Sequence, residues 1–124
     1  MKKILLIDDE ELVTKSLSRF LQKEGYGVRI CQNGHEAISE VKKERPDLLI
    51  CDIRMPELNG VETIKRIREL LNTSKQDPIP EILITGYADE EATKAAEAFK
   101  VKEYIYKPFD VRDFLACVKN AIGS

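Results

Sequence analysis

Short apolar runs alternate along this chain with segments whose apolar residues recur every three or four positions, and this alternation limits the fold more than any other feature. Ile4-Leu5-Leu6-Ile7 precedes a segment with Val13, Leu17, Phe20 and Leu21 on one helical face, and Gly25 stands where that helix would close. Val28-Arg29-Ile30-Cys31 precedes Ala37, Ile38 and Val41, a helix that must stop before Pro46. Leu48-Leu49-Ile50-Cys51 leads through a loop at Pro56 to Val61, Ile64, Ile67 and Leu71, and a polar, proline-bearing stretch from Asn72 to Pro80 follows. Ile82-Leu83-Ile84 comes before a fourth helix through Ala92, Ala95, Ala96 and Phe99. Tyr104-Ile105 comes before a fifth through Val111, Phe114, Leu115, Val118 and Ile122. Strand followed by helix, five times over, specifies βαβ units on a parallel sheet.

Strand order follows from polarity. A run that is apolar throughout belongs to a strand covered on both faces, whereas an alternating or polar-started run tolerates an edge. The first, third and fourth runs are of the former kind; Val28-Arg29-Ile30 alternates and Lys102-Glu103-Tyr104 begins polar. The second and fifth strands are therefore expected outermost, which gives a doubly wound α/β sheet of order 2-1-3-4-5. At this length a single core buries roughly two-thirds of the unfolded surface. With no repeat or linker, residues 1–124 read as one domain.

Charge narrows the function classes. Lys plus Arg number 20 against 22 Asp plus Glu, mixed along the chain for a net charge of -2, which is not a nucleic-acid footprint. The apolar run after Met1-Lys2-Lys3 meets Asp8-Asp9-Glu10-Glu11 too early for a signal peptide, and no run approaches a membrane span, so a cytoplasmic setting is expected without membrane partners. Cys31, Cys51 and Cys117, odd in number and set among apolar neighbours, read as small core residues, not as a disulfide or zinc framework. His35, following Asn33-Gly34 at a helix start, reads as a surface residue.

In an open α/β sheet, ligands bind beyond the carboxyl ends of the strands where strand order reverses, here between the first and third. Asp8 and Asp9 end the first strand and Asp52 ends the third. Carboxylates gathered there raise one another's pKa, and a hard divalent cation such as Mg2+ relieves the repulsion while keeping waters and sharing a phosphate. Thr85 after the fourth strand adds a hydroxyl and Lys107 after the fifth a positive charge. Structural roles stand beside these: Asp9 as a helix N-cap, Asp52 in an Asx-turn, Thr85 in packing, Lys107 in solvent.

Asp8-Asp9, Asp52-Ile53-Arg54-Met55-Pro56 with Gly60, Thr85-Gly86 and Tyr104-Ile105-Tyr106-Lys107-Pro108-Phe109, in this order, resemble the response-regulator receiver domains of two-component signalling, from Lys3 to about Ile122. The resemblance implies a flavodoxin-like (βα)5 fold and a phosphoryl group accepted on Asp52 from a sensor histidine kinase or histidine phosphotransfer protein. It implies Mg2+ bound directly by Asp9, Asp52 and the carbonyl of Arg54 and through water by Asp8, with Thr85 and Lys107 holding phosphoryl oxygens. The Lys107-Pro108 peptide is expected to be cis. Thr85 and Tyr104 would form the switch, changing the surface of the fourth helix, fifth strand and fifth helix for an output domain, another partner or self-association; Tyr104 also suits a plain edge-strand aromatic. Arg54 and Tyr87, two positions beyond Asp52 and Thr85, would flank the path of attacking water and set phosphoryl lifetime, unless both are merely exposed. Lys100 departs from the family, which commonly has glycine there.

The resemblance implies a switch that catalyses only its own phosphorylation and dephosphorylation. A haloacid-dehalogenase-type phosphatase would share the strand-end Asp, Mg2+, Thr and Lys but needs a second Asp two residues after the nucleophile, where Arg54 stands. A scaffold that had lost phosphorylation is the other rival, though every pocket residue is present. No phosphate-binding glycine motif follows any strand, which disfavours a nucleotide binder.

Overall fold

The computed structural model describes residues 1–86, 90, 94 and 97–123. Five strands, β1 (Lys3–Ile7), β2 (Gly27–Cys31), β3 (Leu48–Asp52), β4 (Glu81–Thr85) and β5 (Glu103–Tyr106), form one parallel sheet in the expected order β2-β1-β3-β4-β5. The helices given whole among the described residues are α1 (Glu11–Lys23), α2 (Gly34–Lys43), α3 (Gly60–Thr73) and α4 (Val111–Ile122). The last of these is the fifth helix of the sequence reading. Of the predicted fourth, Ala92, Ala95 and Ala96 lie outside the described residues, and Phe99 is half-buried against the core. No helix among the described residues is long and apolar enough to cross a membrane.

Successive strand side chains alternate between faces, so each continuous apolar run feeds two cores at once. Leu5, Ile7, Leu49, Cys51 and Leu83 meet Ala37 and Val41 of α2 and Ile64, Ile67 and Leu71 of α3. On the other face Ile4, Leu6, Ile50, Ile82 and Ile84 meet Leu17 and Leu21 of α1 and Phe114 and Val118 of α4. The edges are as their sequences suggest: Ile30 of β2 is exposed, and Glu103 and Tyr104 of β5 are half-buried. Cys31 and Cys51 are buried and Cys117 is half-buried, all as free thiols; burial pushes the Cys31 thiol up to about 12. His35 is exposed on α2, 3.8 Å from the Glu57 carboxylate.

Local chemistry fixes the helix ends. Gly25, at φ 92°, lets its own N–H donate to the Gln22 carbonyl and the Tyr26 N–H to that of Leu21, the six-residue closure that a left-handed residue permits. Asn59 and Glu62 form a reciprocal capping box at the start of α3, and Asn33 and Asp110 cap α2 and α4. Lys100 also lies in the left-handed region, at φ 52°, with its N–H on the Glu97 carbonyl. A β-carbon there costs about 1–2 kcal/mol, partly offset because glycine loses more backbone freedom on folding. Lys100→Gly is therefore expected to stabilise the protein by about 0.5–1 kcal/mol in urea unfolding; a loss of stability would contradict the conformational reading.

Candidate functional site

The register of the sheet brings the strand ends into line. Ile7 pairs with Cys51, Asp52 with Ile84, and Thr85 with Tyr106, so Asp8, Asp52, Thr85 and Lys107 emerge along one edge. Asp8, Asp52 and Thr85 are all buried. Gly60 holds the middle of this edge: a β-carbon on it would lie 2.3 Å from the Asp52 carbonyl oxygen, so only glycine lets α3 begin against the end of β3. The Gly60 N–H donates to the Ile53 carbonyl at 2.9 Å, which keeps the intervening loop tight.

Carboxylate oxygens of Asp8, Glu10 and Asp52 lie within 4.8 Å of one another. Asp8 Oδ1 accepts the Glu10 N–H at 3.0 Å, while its buried Oδ2 has no hydrogen-bond partner among the described residues. Lys107 Nζ lies 3.5 Å from Asp52 Oδ2 and 3.8 Å from Glu10 Oε1. The Arg54 N–H also bonds the Asp52 carboxylate, and the Arg54 side chain is exposed. Asp9 is exposed and stands outside the three-carboxylate group, close enough for its charge to raise the proton affinity of Asp52. Glu10 is the member that sequence reasoning missed. It, not Asp9, is the N-cap of α1, yet its side chain caps nothing. Its N–H donates to Asp8 Oδ1 across two residues, an Asx-type contact that brings it to the cluster and that the sequence alone does not signal.

Burial pushes the Asp8 carboxyl up to about 6, with the Glu10 N–H opposing and the Asp52 charge adding to the rise. Burial also raises Asp52, against the pull of Lys107 and the Arg54 N–H. Among the described residues, three crowded carboxylates with one ammonium between them, and one buried oxygen left without a partner, are a donor set that fits a small hard cation.

The Thr85 hydroxyl donates to the Gly86 carbonyl at 3.2 Å, and the Lys107 N–H to the Thr85 carbonyl at 2.8 Å. The Lys107-Pro108 peptide is cis. Tyr104 packs against the α2–α3 face of the core with its hydroxyl buried and without a partner among the described residues. Tyr87 lies outside the described residues.

A family model, response regulator receiver domain, matches residues 4–119. An uncharacterized 14.6 kDa protein of Leptolyngbya boryana is 39% identical over 94% of this chain and 86% of its own length. The transcriptional regulatory protein CrdR of Helicobacter pylori is 37% identical over 95% of this chain, which spans only 54% of that protein. Among solved structures, a response regulator receiver domain protein of Methanospirillum hungatei superposes with a TM-score of 0.88 at 28% identity, covering 99% of this chain and 94% of its own.

Because the Asp8 carboxyl is raised in the folded state, folding retains a proton there that the unfolded chain has released, and the stability linked to Asp8 is lost as pH rises from about 4 through about 6. Without divalent cations, Asp8→Asn is expected to be more stable than the parent at pH 7 by on the order of 1–3 kcal/mol, and the difference should vanish near pH 4. Urea unfolding in chelator at the two pH values measures this. An equal or larger gain at pH 4 would exclude the electrostatic origin.

Proposed function

This chain belongs to the response regulator receiver domain family, and we propose that it is a phosphorylation-activated switch that takes a phosphoryl group onto Asp52 from a sensor histidine kinase or histidine phosphotransfer protein. The observation that carries this reading is the contact of the Lys107 ammonium with a buried Asp52 carboxylate inside a three-carboxylate cluster. One Asp52 oxygen attacks phosphorus, the phosphorus–nitrogen bond of the donor phosphohistidine breaks, and the imidazole leaves with the electron pair. Phosphoryl transfer of this kind asks the protein mainly for in-line placement and charge neutralisation. Lys107 and the Thr85 hydroxyl hold phosphoryl oxygens; to do so, Thr85 must leave the Gly86 carbonyl. Asp9, Asp52 and the Arg54 carbonyl, with Asp8 through water, would hold Mg2+, which would supply the remaining positive charge. The unpartnered Asp8 oxygen supports a cation at this spot, and Glu10 adds a further nearby oxygen donor.

Acyl phosphate formation adds roughly two negative charges at Asp52, and these bias the domain only through groups that meet them differently in two conformations. Thr85 is such a group, and Tyr104 of β5, which pairs with Leu83 two residues before Thr85 on β4, is the residue that moves with it in this reading. Their coupled movement changes the surface of the predicted fourth helix, β5 and α4, which then engages an output domain, another partner or a second copy. Residues 1–124 act as one receiver domain in the cytoplasm, without nucleic acid or membrane contacts of their own. The domain catalyses only its own phosphorylation and dephosphorylation.

Two measurements test this. Asp52→Ala should abolish acid-stable, base-labile labelling by a small phosphodonor with Mg2+; undiminished labelling would remove Asp52 as the acceptor, and continuous turnover of the parent would favour a phosphatase. Arg54 and Tyr87 flank the in-line water in this reading, and neither side chain suits orienting it. Replacing Arg54→Asn with Tyr87→Glu should therefore speed phosphoryl loss about tenfold, about 1.4 kcal/mol in barrier, as read by phosphate release after donor removal. An unchanged rate would show that these residues do not gate water.

A further inference from the structure

The opposite end of the sheet carries a second concave feature, unrelated to the acidic crevice. A cavity of about 490 Å³ opens between the carboxyl end of α3, the entry to β4 and the turn before β5. Glu81 lines it at the start of β4, four residues from Thr85 and so roughly 13 Å from the phosphoryl site. Its apolar lining comes from buried Leu71 and Ile79 and exposed Pro78, beside polar Asn72 and Gln76, and exposed Lys100 and Lys102 make its rim basic.

Charge decides what fits. Three cations, Arg68, Lys100 and Lys102, line the cavity against one carboxylate, Glu81, on a chain whose net charge is -2. The carboxylate is already taken: Arg68 Nε and Nη2 reach it at 2.8 and 2.5 Å. Lys100 and Lys102 are exposed and make no ion pair among the described residues. The end of α3 that forms one wall is a helix carboxyl terminus, whose carbonyls repel anions, and no glycine-rich backbone lines the cavity. A phosphate or a polyanion therefore finds only two flexible ammoniums at the rim and repulsion within. A carboxylate at the rim attached to an apolar group reaching inward meets both walls favourably.

We propose that this cavity is a docking site for a peptide segment of a partner protein in which an acidic side chain neighbours a large apolar one. The acidic group sits between Lys100 and Lys102, and the apolar group packs on Leu71, Pro78 and Ile79. The site lies at the end of β4 away from Asp52, so its test on the unphosphorylated protein is separable from that of the switch.

The probe is an acetylated, amidated tetrapeptide of glutamate, leucine, aspartate and phenylalanine, titrated into the unphosphorylated nitrogen-15-labelled protein at low salt. Amide shifts should be confined to residues 71–81 and 100–102, leaving Asp52 unmoved. The glutamine and asparagine analogue, and separately the Lys100→Gln, Lys102→Gln double variant, should each weaken binding about tenfold. Both lysines are exposed, so the double variant should keep the fold, as its unshifted spectrum elsewhere will verify. The proposal is overturned by no shifts at millimolar peptide, by shifts centred elsewhere, or by equal binding of the neutral analogue. Inorganic phosphate alone reproducing the same shifts would reassign the cavity to a simple anion site and also overturn it.

Discussion

Like charge gathered in a half-dry crevice is the constraint on which the rest of this structure depends. Carboxylate oxygens of three residues stand within 4.8 Å of one another, two of those residues buried, with one lysine between them. Left to themselves such groups separate, protonate or draw in water. They are kept together because each is fixed to an element that cannot move cheaply. Asp8 follows a strand whose Ile4, Leu5, Leu6 and Ile7 are essentially inaccessible to solvent, and Asp52 ends one whose Leu48 to Cys51 are equally so. At about 1.5–3 kcal/mol for each buried aliphatic side chain, these strands outweigh the electrostatic cost at their tips. The site is a controlled defect of an otherwise well-compensated sheet.

That defect makes the crevice responsive. A site already neutral would gain little from a cation or a phosphoryl group, whereas this one has a buried Asp8 oxygen without a partner among the described residues and a lysine shared between two acids. The same incompleteness recurs one row away at Tyr104, whose buried hydroxyl has no partner among the described residues. An unmade buried hydrogen bond costs roughly 1–3 kcal/mol, about the gap between two conformations that a single modification can reverse. Thr85, whose hydroxyl donates to the adjacent Gly86 carbonyl at 3.2 Å, ends β4, the strand that lies between β3 and β5.

The sheet order was legible because burial on two faces and burial on one leave different marks. Leu48-Leu49-Ile50-Cys51 is apolar at every position, while Val28-Arg29-Ile30 alternates, and the order follows from which strands need two covered faces. The acids at strand ends were legible for the same reason, since an abrupt Asp after an apolar run locates the carboxyl edge. Glu10 was not, because a glutamate before a helix looks like an ordinary N-terminal acid; its place in the cluster comes from the backbone turn that its N–H makes with Asp8. Arg68 and Glu81 were hidden more completely. Each borders an apolar stretch as any surface charge does, and nothing in one dimension reveals that the sheet buries Glu81 within reach of Arg68 on the preceding helix.

The pair of ends shows how one fold treats buried charge in two ways. At the amino end of β4, Glu81 is 4% exposed and receives a two-pronged bond from Arg68, whose guanidinium also lies 5.6 Å from the centre of the Phe99 ring. That carboxylate is paired from within the chain, and removing Arg68 would strand a buried charge. At the carboxyl ends the compensation is left short. Since an internal partner was sterically available at one end, the shortage at the other does not follow from the architecture; it follows from which side chains the chain places at the strand tips. A carboxylate satisfied internally is inert to added cations and phosphoryl donors, and a carboxylate kept short of partners exchanges free energy with both. Structural charge and signalling charge in this domain differ by that distinction alone, on strands that are neighbours in the same sheet.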